Sequence, residues 1–153
     1  MECADWHVFQ VLTKRPERAL ELAPRLPWPS NVWIGVSVEN RCFLHRLDTL
    51  RGVPAALRFA SCEPLQGLLK GIDLTGIGWV IGGGESGPRA RRLKPAWAQA
   101  LRDECVLQGV PFFFKQWGSH NEHGQRVGKG RAGRMLDGRM WEGMPLVTQT
   151  IRT

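Results

Sequence analysis

The chain has no hydrophobic run long enough to cross a bilayer and no two cysteines in a C-x-x-C spacing. The first absence excludes a membrane-spanning helix, which needs about 20 consecutive apolar residues. The N-terminus also lacks a basic region followed by an apolar stretch, so we expect no export signal and a cytoplasmic protein. We therefore expect Cys3, Cys42, Cys62 and Cys105 to be reduced thiols, not a disulfide framework or a zinc site.

Acidic residues are few, with 14 Asp and Glu against 21 Lys and Arg, which gives a formal net charge of +7. Such an excess favours binding to a polyanion, and nucleic acid is the natural candidate. The excess forms two clusters, Arg89, Arg91, Arg92 and Lys94, followed by Arg126, Lys129, Arg131, Arg134 and Arg139. The alternative is a solvated basic surface that only aids solubility, because no recognised nucleic-acid-binding motif accompanies the charge.

Five short apolar runs are the main pattern in a chain of 153 residues that is 42% hydrophobic and 23% charged. This composition is typical of a soluble globular protein, and we predict one domain over residues 1–153. Unbroken apolar runs of this length are typical of buried parallel strands. The runs are residues 8–12, 32–36, 57–60, 79–81 and 110–114.

Segments with helical spacing lie between several of these runs. Pro16 suits the first position of a helix that reaches Leu26, and Asn40 can cap a second helix that Gly52 would end. Pro95 opens a third helix, which Gly109 would close. The segment between the third and fourth runs has room for only a turn or two of helix.

Alternation of strands and helices predicts an α/β fold with parallel strands joined by right-handed crossovers. We favour a partial (β/α) barrel of about five parallel strands with flanking helices over residues 1–118, and an open doubly wound sheet is the alternative. Residues 119–153 are rich in glycine and arginine and are predicted to form an irregular basic tail. Asp137-Gly138 favours a tight turn within that tail.

Charged residues follow the predicted strands where each one ends. In a parallel sheet these ends meet at one edge, so we expect the charges to lie close together and to bind polar ligand groups. Structural ion pairs would give the same pattern, and that alternative stays open. The residues are Glu39, Glu63 and Glu85, together with Lys14, Arg15 and Lys115.

The segment Gly82-Gly83-Gly84-Glu85-Ser86-Gly87 formally matches G-x-G-x-x-G. Pro88 and a basic stretch follow it instead of a helix, and the next strand ends in Lys115, so the pattern departs from a dinucleotide site. Gly83 and Gly84 could instead form a backbone nest for an anion or a ribose edge. The alternative is that the glycines only permit a sharp turn.

Tryptophan is the most frequent aromatic residue, and tyrosine is absent. Trp33 and Trp79 lie in predicted strands and are expected in the core, whereas Trp117 follows a strand end. Trp117 could contact a base or ring of a substrate beside Lys115 and Gln116, and packing beneath the tail is the alternative. The four histidines form no metal-binding pattern, so no metal site is predicted.

Five motifs, in order, resemble the uncharacterised phage gp-thirty-seven/gp-sixty-eight family, which is also called a domain of unknown function. They cover nearly the whole chain. The motifs are VLTKRP at 11–16, NVWIGVSVEN at 31–40, RFASCEPL at 58–65, GGESG at 83–87 and PFFFKQWG at 111–118. The segment AGRMLDGR at 132–139 is similar to the C-terminal ending of that family.

The resemblance implies a radical S-adenosylmethionine protein, of which this chain corresponds to the C-terminal half. Members carry a three-cysteine iron–sulfur motif in an N-terminal half, and the motif is not present here, so no iron–sulfur cluster is expected in this chain. The resemblance implies a cofactor site formed by Thr13, Lys14, Ser37, Glu39, Ser61, Glu63 and Glu85, to which Gly83 and Gly84 are added. The substrate-contacting residues are predicted to be Arg15, Asn40, Lys115, Gln116 and Trp117.

The resulting hypothesis is a half-barrel linked to nucleic-acid metabolism that is catalytic only when joined to a cluster-binding half. Five parallel strands cannot close a barrel, so we expect two exposed sheet edges and an exposed apolar face. We therefore predict self-association or binding of a separately encoded N-terminal half. The alternatives are a non-catalytic protein that binds nucleic acid and a truncated remnant without activity.

Overall fold

A five-stranded, all-parallel sheet organises the chain, in a computed structural model that describes residues 1, 3–4 and 6–146. The strands lie in the sheet in the same order as in the sequence, β1-β2-β3-β4-β5, so every crossover moves one strand along. They are β1 (Phe9–Thr13), β2 (Val32–Ser37), β3 (Leu57–Cys62), β4 (Trp79–Gly83) and β5 (Phe112–Gln116).

Helices cover one face of the sheet, and α1 and α3 begin at the predicted prolines, whereas the second begins later than predicted. Helix α1 (Pro16–Leu22) starts at its proline and continues as a 3-10 turn over Ala23–Arg25. Asn40 accepts a hydrogen bond from the backbone N–H of Cys42 at the start of a 3-10 turn that leads into α2 (His45–Arg51). Helix α3 (Pro95–Leu107) packs on β4 and β5. Between β3 and β4 the chain forms turns and no helix.

Alternate side chains of each strand point to opposite faces, and one face packs against the helices. Val36, Ala60 and Phe114 belong to this large core, which also buries Leu50 of α2 and Leu101 of α3. The packing of this face against the helices therefore fixes the register of the strands, because a shift of one residue would expose every apolar side chain on this face.

The opposite face, which we call the inner face, carries a layer of aromatic rings. Trp33, Phe59 and Trp79 are each at most 4% exposed, and Trp79 lies edge-on to both Trp33 and Phe113. The ring of Phe59 lies where a Cβ on Gly35 would be, 2.3 Å from the nearest ring carbon, so a glycine is required there. The rings therefore pack against one another and close to the backbone of the sheet.

The sheet edge at β5 is covered by the chain itself. Residues 141–143 run antiparallel beside this strand, where the N–H of Phe114 donates to the carbonyl of Trp141 at 2.8 Å. The N–H of Gly143 donates to the carbonyl of Phe112 at 2.9 Å, and the indole of Trp79 donates to the carbonyl of Gly143 at 2.8 Å. We call residues 141–143 the edge segment.

The edge at β1 is open in the described part of the chain. Leu12 on its inner face is 51% exposed. On its helix side an apolar pocket of about 370 Å³ adjoins Val11. That pocket is lined by Met1, Val11, Leu26, Pro27, Trp28, Pro29, Val32 and Ile34.

These observations confirm the α/β class and the five parallel strands, and the sheet stays open instead of closing into a barrel. The predicted pair of exposed edges is half right, because the edge segment covers β5. The predicted exposed apolar inner face is wrong for Trp33, Phe59 and Trp79, whose rings are buried. The last strand is displaced by two residues from its predicted run at 110–114.

The chain beyond β5 is more regular than a loop. A short helix, α4 (Lys129–Ala132), precedes a hairpin of β6 (Met135–Leu136) and β7 (Arg139–Met140). Asp137 and Gly138 form its turn with φ of 51° and 74°, as the sequence predicts. Residues 147–153 of the predicted tail lie outside the described residues. Within the described residues, the helices are all too short or too polar to span a bilayer.

Candidate functional site at the carboxyl ends of the strands

The carboxyl ends of the five strands bring together most of the charged residues that the sequence singles out. Ser37 and Ser61 are register partners on neighbouring strands, lie on the inner face and are buried. Glu39 and Glu63 follow these serines by two residues. The inner face therefore changes from aromatic rings to hydroxyl groups and then to charges as it approaches this edge.

Glu39 is the most buried of the three carboxylates, with 6% of its side chain exposed. Lys14 Nζ lies 2.5 Å from its Oε1, and Arg46 of α2 lies 3.2 Å from its Oε2. Burial alone would raise the pKa of Glu39, but the hydrogen bond and charge of Lys14, a backbone hydrogen bond and the charge of Arg46 lower it overall. Glu39 is therefore a fixed anion that joins β1, β2 and α2.

Glu63 reaches across the end of β4 to bind residues of β5. Lys115 Nζ lies 2.9 Å from its Oε2, and Gln116 Nε2 donates to its Oε1 at 3.1 Å. Gly83 lies between them, and a Cβ there would be 3.3 Å from the carboxyl group. Because Gly83 has no side chain, there is room for the Glu63 carboxyl group. Glu63, which follows β3, can therefore form an ion pair with Lys115 of β5 across the end of β4.

Glu85 points to a different set of partners. Arg91 donates to both of its oxygens, at 2.7 and 3.1 Å, and the backbone N–H of Arg91 donates a third bond at 3.0 Å. These bonds lower the pKa of Glu85. Arg91 also donates to Gln66 at 2.7 Å, so Glu85 belongs to a loop network beside α3 and not to the Lys14 and Lys115 pairs.

The glycines after β4 are explained by close packing of the chain on itself. A Cβ on Gly84 would lie 1.9 Å from the carbonyl oxygen of Trp117, and one on Gly118 would lie 2.2 Å from the carbonyl oxygen of Glu85. Gly118 also has a φ of 90°. The N–H of Gly84 donates to the carbonyl of Gln116 at 2.8 Å, so this donor of the nest predicted at Gly83 and Gly84 is already bonded within the protein.

Two further predicted residues have local structural roles. Thr13 Oγ1 accepts from the backbone N–H of Arg15 at 3.0 Å, immediately before α1. Asn40 caps the turn before α2, and its backbone lies against Gly67. The Arg15 side chain is exposed at the same edge of the sheet, where it is open to a ligand.

Trp117 and Cys62 both lie in the core. Trp117 is 3% exposed, packs edge-on to Phe114 and donates from its indole to the carbonyl of Met135 at 2.7 Å. This burial argues against the prediction that Trp117 contacts a substrate, because no ring face is open. Burial also raises the pKa of the Cys62 thiol, with smaller contributions from Cys105 and Glu39, which makes it a structural thiol.

The remaining charges form a row along the edge in strand order. Lys14 follows β1, Glu39 follows β2, Glu63 follows β3, and Lys115 ends the row on β5, so the signs run positive, negative, negative, positive. The ammonium groups are accessible, since the side chains of Lys14 and Lys115 are 64% and 53% exposed. Such a row can bind a ligand that carries both an anionic and a cationic group.

Comparison with known proteins assigns the chain to a family. The sequence profile described as "Protein of unknown function (DUF5131)" matches residues 1–145. The chain belongs to this family. Neither the curated proteins nor the solved structures give a match. The family is uncharacterised, so the match identifies relatives of this DUF5131 chain and assigns no activity to it.

Sequence reasoning missed Arg46 and Gln66, and it named Arg91 only as part of a basic cluster. Arg46, Gln66 and Arg91 each bind one of the predicted residues or its partners. The position of Arg46 on the predicted second helix, six residues after the predicted cap Asn40, was a usable signal. In the described residues, no group of three His, Cys, Asp or Glu side chains could hold a metal ion.

Proposed function

We propose that this DUF5131 chain is the C-terminal, ligand-binding part of a (β/α)-barrel protein. Its ligand carries both charged signs and binds at the carboxyl edge of the inner face. The observation that carries the proposal is the row of Lys14, Glu39, Glu63 and Lys115 above Ser37. Ion pairs with half-exposed lysines can exchange partners with a ligand at low cost, because their mutual attraction is weakened by water.

S-adenosylmethionine is the cofactor that the sequence resemblance suggests, and the donor set fits its amino-acid group. The ammonium groups of Lys14 and Lys115 suit a carboxylate, and the carboxylate of Glu63 suits an ammonium group, whereas the buried Glu39 holds Lys14 in position. Gly84 adds no contact, because the carbonyl of Trp117 occupies that side of it. Binding would therefore depend on side chains.

When bound, S-adenosylmethionine supplies a sulfonium group whose reductive cleavage needs an electron from an iron–sulfur cluster. In this proposal the cluster belongs to a separate N-terminal half, and this chain contributes ligand contacts. The open edge at β1, with the exposed Leu12 and the pocket beside Val11, is where a further β/α unit would join the sheet. Catalysis is proposed only for the assembled barrel.

Equilibrium dialysis with labelled S-adenosylmethionine tests the site. We expect saturable binding that Glu63→Gln and Lys115→Met each weaken by about tenfold, the loss typical of one charge-assisted hydrogen bond. Glu21→Gln is the control, because it removes an exposed carboxylate of α1 that pairs with the neighbouring Arg18. Absence of saturable binding, or equal weakening by all three variants, would reject S-adenosylmethionine as the ligand of this row.

A second candidate function is binding of nucleic acid without catalysis, and the net charge of +7 favours it. The two candidates make opposite predictions for Glu63→Gln. Affinity for nucleic acid should fall steeply with salt and should be unchanged by this substitution. Loss of nucleic-acid affinity on Glu63→Gln would place that binding at the row instead.

A further inference from the structure

Hydrogen bonds join the loop after β4 to the loop after β5, outside the row of charges. The Ser119 hydroxyl accepts from the N–H of Gly87 at 3.0 Å, and the N–H of Ser119 donates to the carbonyl of Glu85 at 2.8 Å. Arg126 donates to the carbonyls of Gly87 and Pro88 at 3.1 and 2.7 Å. These hydrogen bonds hold the backbone of both loops in one arrangement.

These two loops present basic side chains that are held in place and are not paired with carboxylates. The guanidinium of Arg92 lies against Gly124, where a Cβ would be 1.9 Å from its central carbon. In the described part of the chain, neither Arg92 nor Arg126 has a carboxylate within 4.0 Å, whereas Arg91 is paired with Glu85. Arg89 and Lys94 are exposed beside them. The loops therefore form a fixed, positively charged surface suited to phosphate groups.

A small pocket opens next to this surface, with a volume of about 140 Å³. A closed cavity of about 150 Å³ accommodates a benzene-sized ring, so this slightly smaller pocket, which is open to solvent on one side, can hold only part of a pyrimidine ring. Its walls combine apolar surface with polar groups that can bind the edge of a base. They are formed by Pro64, Leu65, Gln66, Glu85, Arg91, Arg92 and Trp97.

We propose that a single strand of nucleic acid binds here, with one pyrimidine base in the pocket beside Trp97 and its flanking phosphates on Arg92 and Lys94. Lys94 Nζ lies 5.0 Å from the centroid of the Trp97 ring, so the base takes the place of this ammonium group, which turns to a phosphate. The inference rests on the nucleic-acid candidate above and names where that binding occurs. A duplex does not fit, because a stacked and paired base cannot enter a pocket of this size. Gln66 and Glu85 at its wall supply a hydrogen-bond donor and acceptors for the base edge.

Fluorescence anisotropy with a labelled dT decamer, and with an abasic decamer of the same length, tests the proposal. We expect the dT decamer to bind more tightly than the abasic strand by about tenfold, the size of one base contact with an aromatic wall. Trp97→Leu and Gln66→Ala should each reduce this preference and leave the affinity for the abasic strand unchanged. Gln66→Ala keeps the test valid if Trp97→Leu does not fold.

The phosphate contacts are tested by the salt dependence of the same affinity. Arg92→Gln should lower the slope of log affinity against log salt by about 0.7, the value for one phosphate contact with a single strand. Arg25→Gln is the matched control, because it removes one exposed positive charge from the turn between β1 and β2, at the opposite end of the strand order from β4 and β5.

Each outcome separates the inference from the proposed functions. The proposed site is rejected if Arg25→Gln lowers the slope as much as Arg92→Gln, or if the abasic strand binds as tightly as the dT decamer. In either case the nucleic-acid candidate remains as binding driven by charge alone. If neither decamer binds at about 50 mM salt, where phosphate contacts are strong, both fail. None of these results affects the S-adenosylmethionine test at the row.

Discussion

The two edges of the parallel sheet differ in how the chain treats them. At β5, the edge segment pairs with the strand, and the indole of Trp79 donates to the carbonyl of Gly143. At β1, the described chain leaves the outer backbone groups of the strand unpaired, with an apolar pocket on one side and an exposed Leu12 on the other. The same sheet therefore has one finished edge and one unfinished edge.

The finished edge shows what covering a strand requires. Trp141 fixes the edge segment, because its ring packs edge-on to Phe112 and lies under the guanidinium of Arg139, 3.5 Å from the ring centroid. Arg134 pairs with Glu142, and the Trp141 indole donates to the carbonyl of Leu136. Three antiparallel residues alone would be marginal, so these side-chain contacts supply the stability. No comparable set of contacts is found on the outer side of β1 in the described residues.

The largest expected effect comes from breaking the finished edge with Trp141→Ala. The substitution removes the packing on Phe112 and the cation–π contacts of Arg102 and Arg139 with this ring, so we expect a loss of about 3 kcal/mol in the free energy of unfolding, measured with urea. Trp6→Ala is the control, because that indole is exposed at the N-terminal end, and it should change stability by less than about 0.5 kcal/mol. Equal losses would show that the edge segment is not what stabilises β5.

A smaller loss of stability is expected when a single methyl group is added to the edge segment. A Cβ on Gly143 would lie 2.8 Å from the backbone nitrogen and oxygen of Phe112, so Gly143→Ala must lift the segment away from the strand. We expect a loss of about 2 kcal/mol, the usual cost of such overpacking. Gly130→Ala is the matched control, because nothing lies within 4 Å of that Cβ position in the short helix α4. It should be neutral or slightly stabilising, since alanine favours helix.

Much of the fold follows from the sequence because the deciding signals are local. Apolar runs give β2 and β3, and Pro16 and Pro95 mark helix starts that the structure confirms. The meeting of Lys14 with Glu39 also follows, since parallel strands place their carboxyl ends at one edge. These predictions need only the period of the pattern and the direction of the strands.

The covering of β5 and the roles of the glycines could not be predicted in the same way. The edge segment pairs over too few residues to show alternation, and its contact with Phe112 is distant in sequence. Gly84 suggested a ligand nest, whereas the contact that requires it is the carbonyl of Trp117. The partner of Glu85 was also uncertain, because several basic residues follow it and only the loop geometry selects Arg91.

Lowering the pH should destabilise β1, at the unfinished edge, before β5, at the finished edge. The pKa of Glu39 is lowered in the folded protein, so its stabilisation is complete above the unfolded pKa of about 4.3 and is lost as the pH falls below that value. Because Lys14 is largely exposed, this effect should be smaller than the two losses above.

Urea unfolding of the native chain and of Glu39→Gln between pH 6 and pH 3 measures this contribution. The difference in stability between the two proteins should shrink as the pH falls, and amide exchange in β1 should lose protection before that in β5. Glu21→Gln should show a much smaller change over the same range, because its carboxylate is exposed. A constant difference for Glu39→Gln would mean that its ion pairs with Lys14 and Arg46 do not stabilise the fold.

The smallest effect on folding, and the sharpest test of the unfinished edge, comes from Leu12→Lys. The side chain is half-exposed on the inner face of β1, so we expect stability to change by less than about 0.5 kcal/mol. A charge on an open edge opposes pairing with another strand, so any self-association seen by sedimentation velocity should decrease in this variant. If Leu12→Lys instead destabilises the monomer as strongly as Trp141→Ala, the chain itself already covers β1, and the two edges are alike.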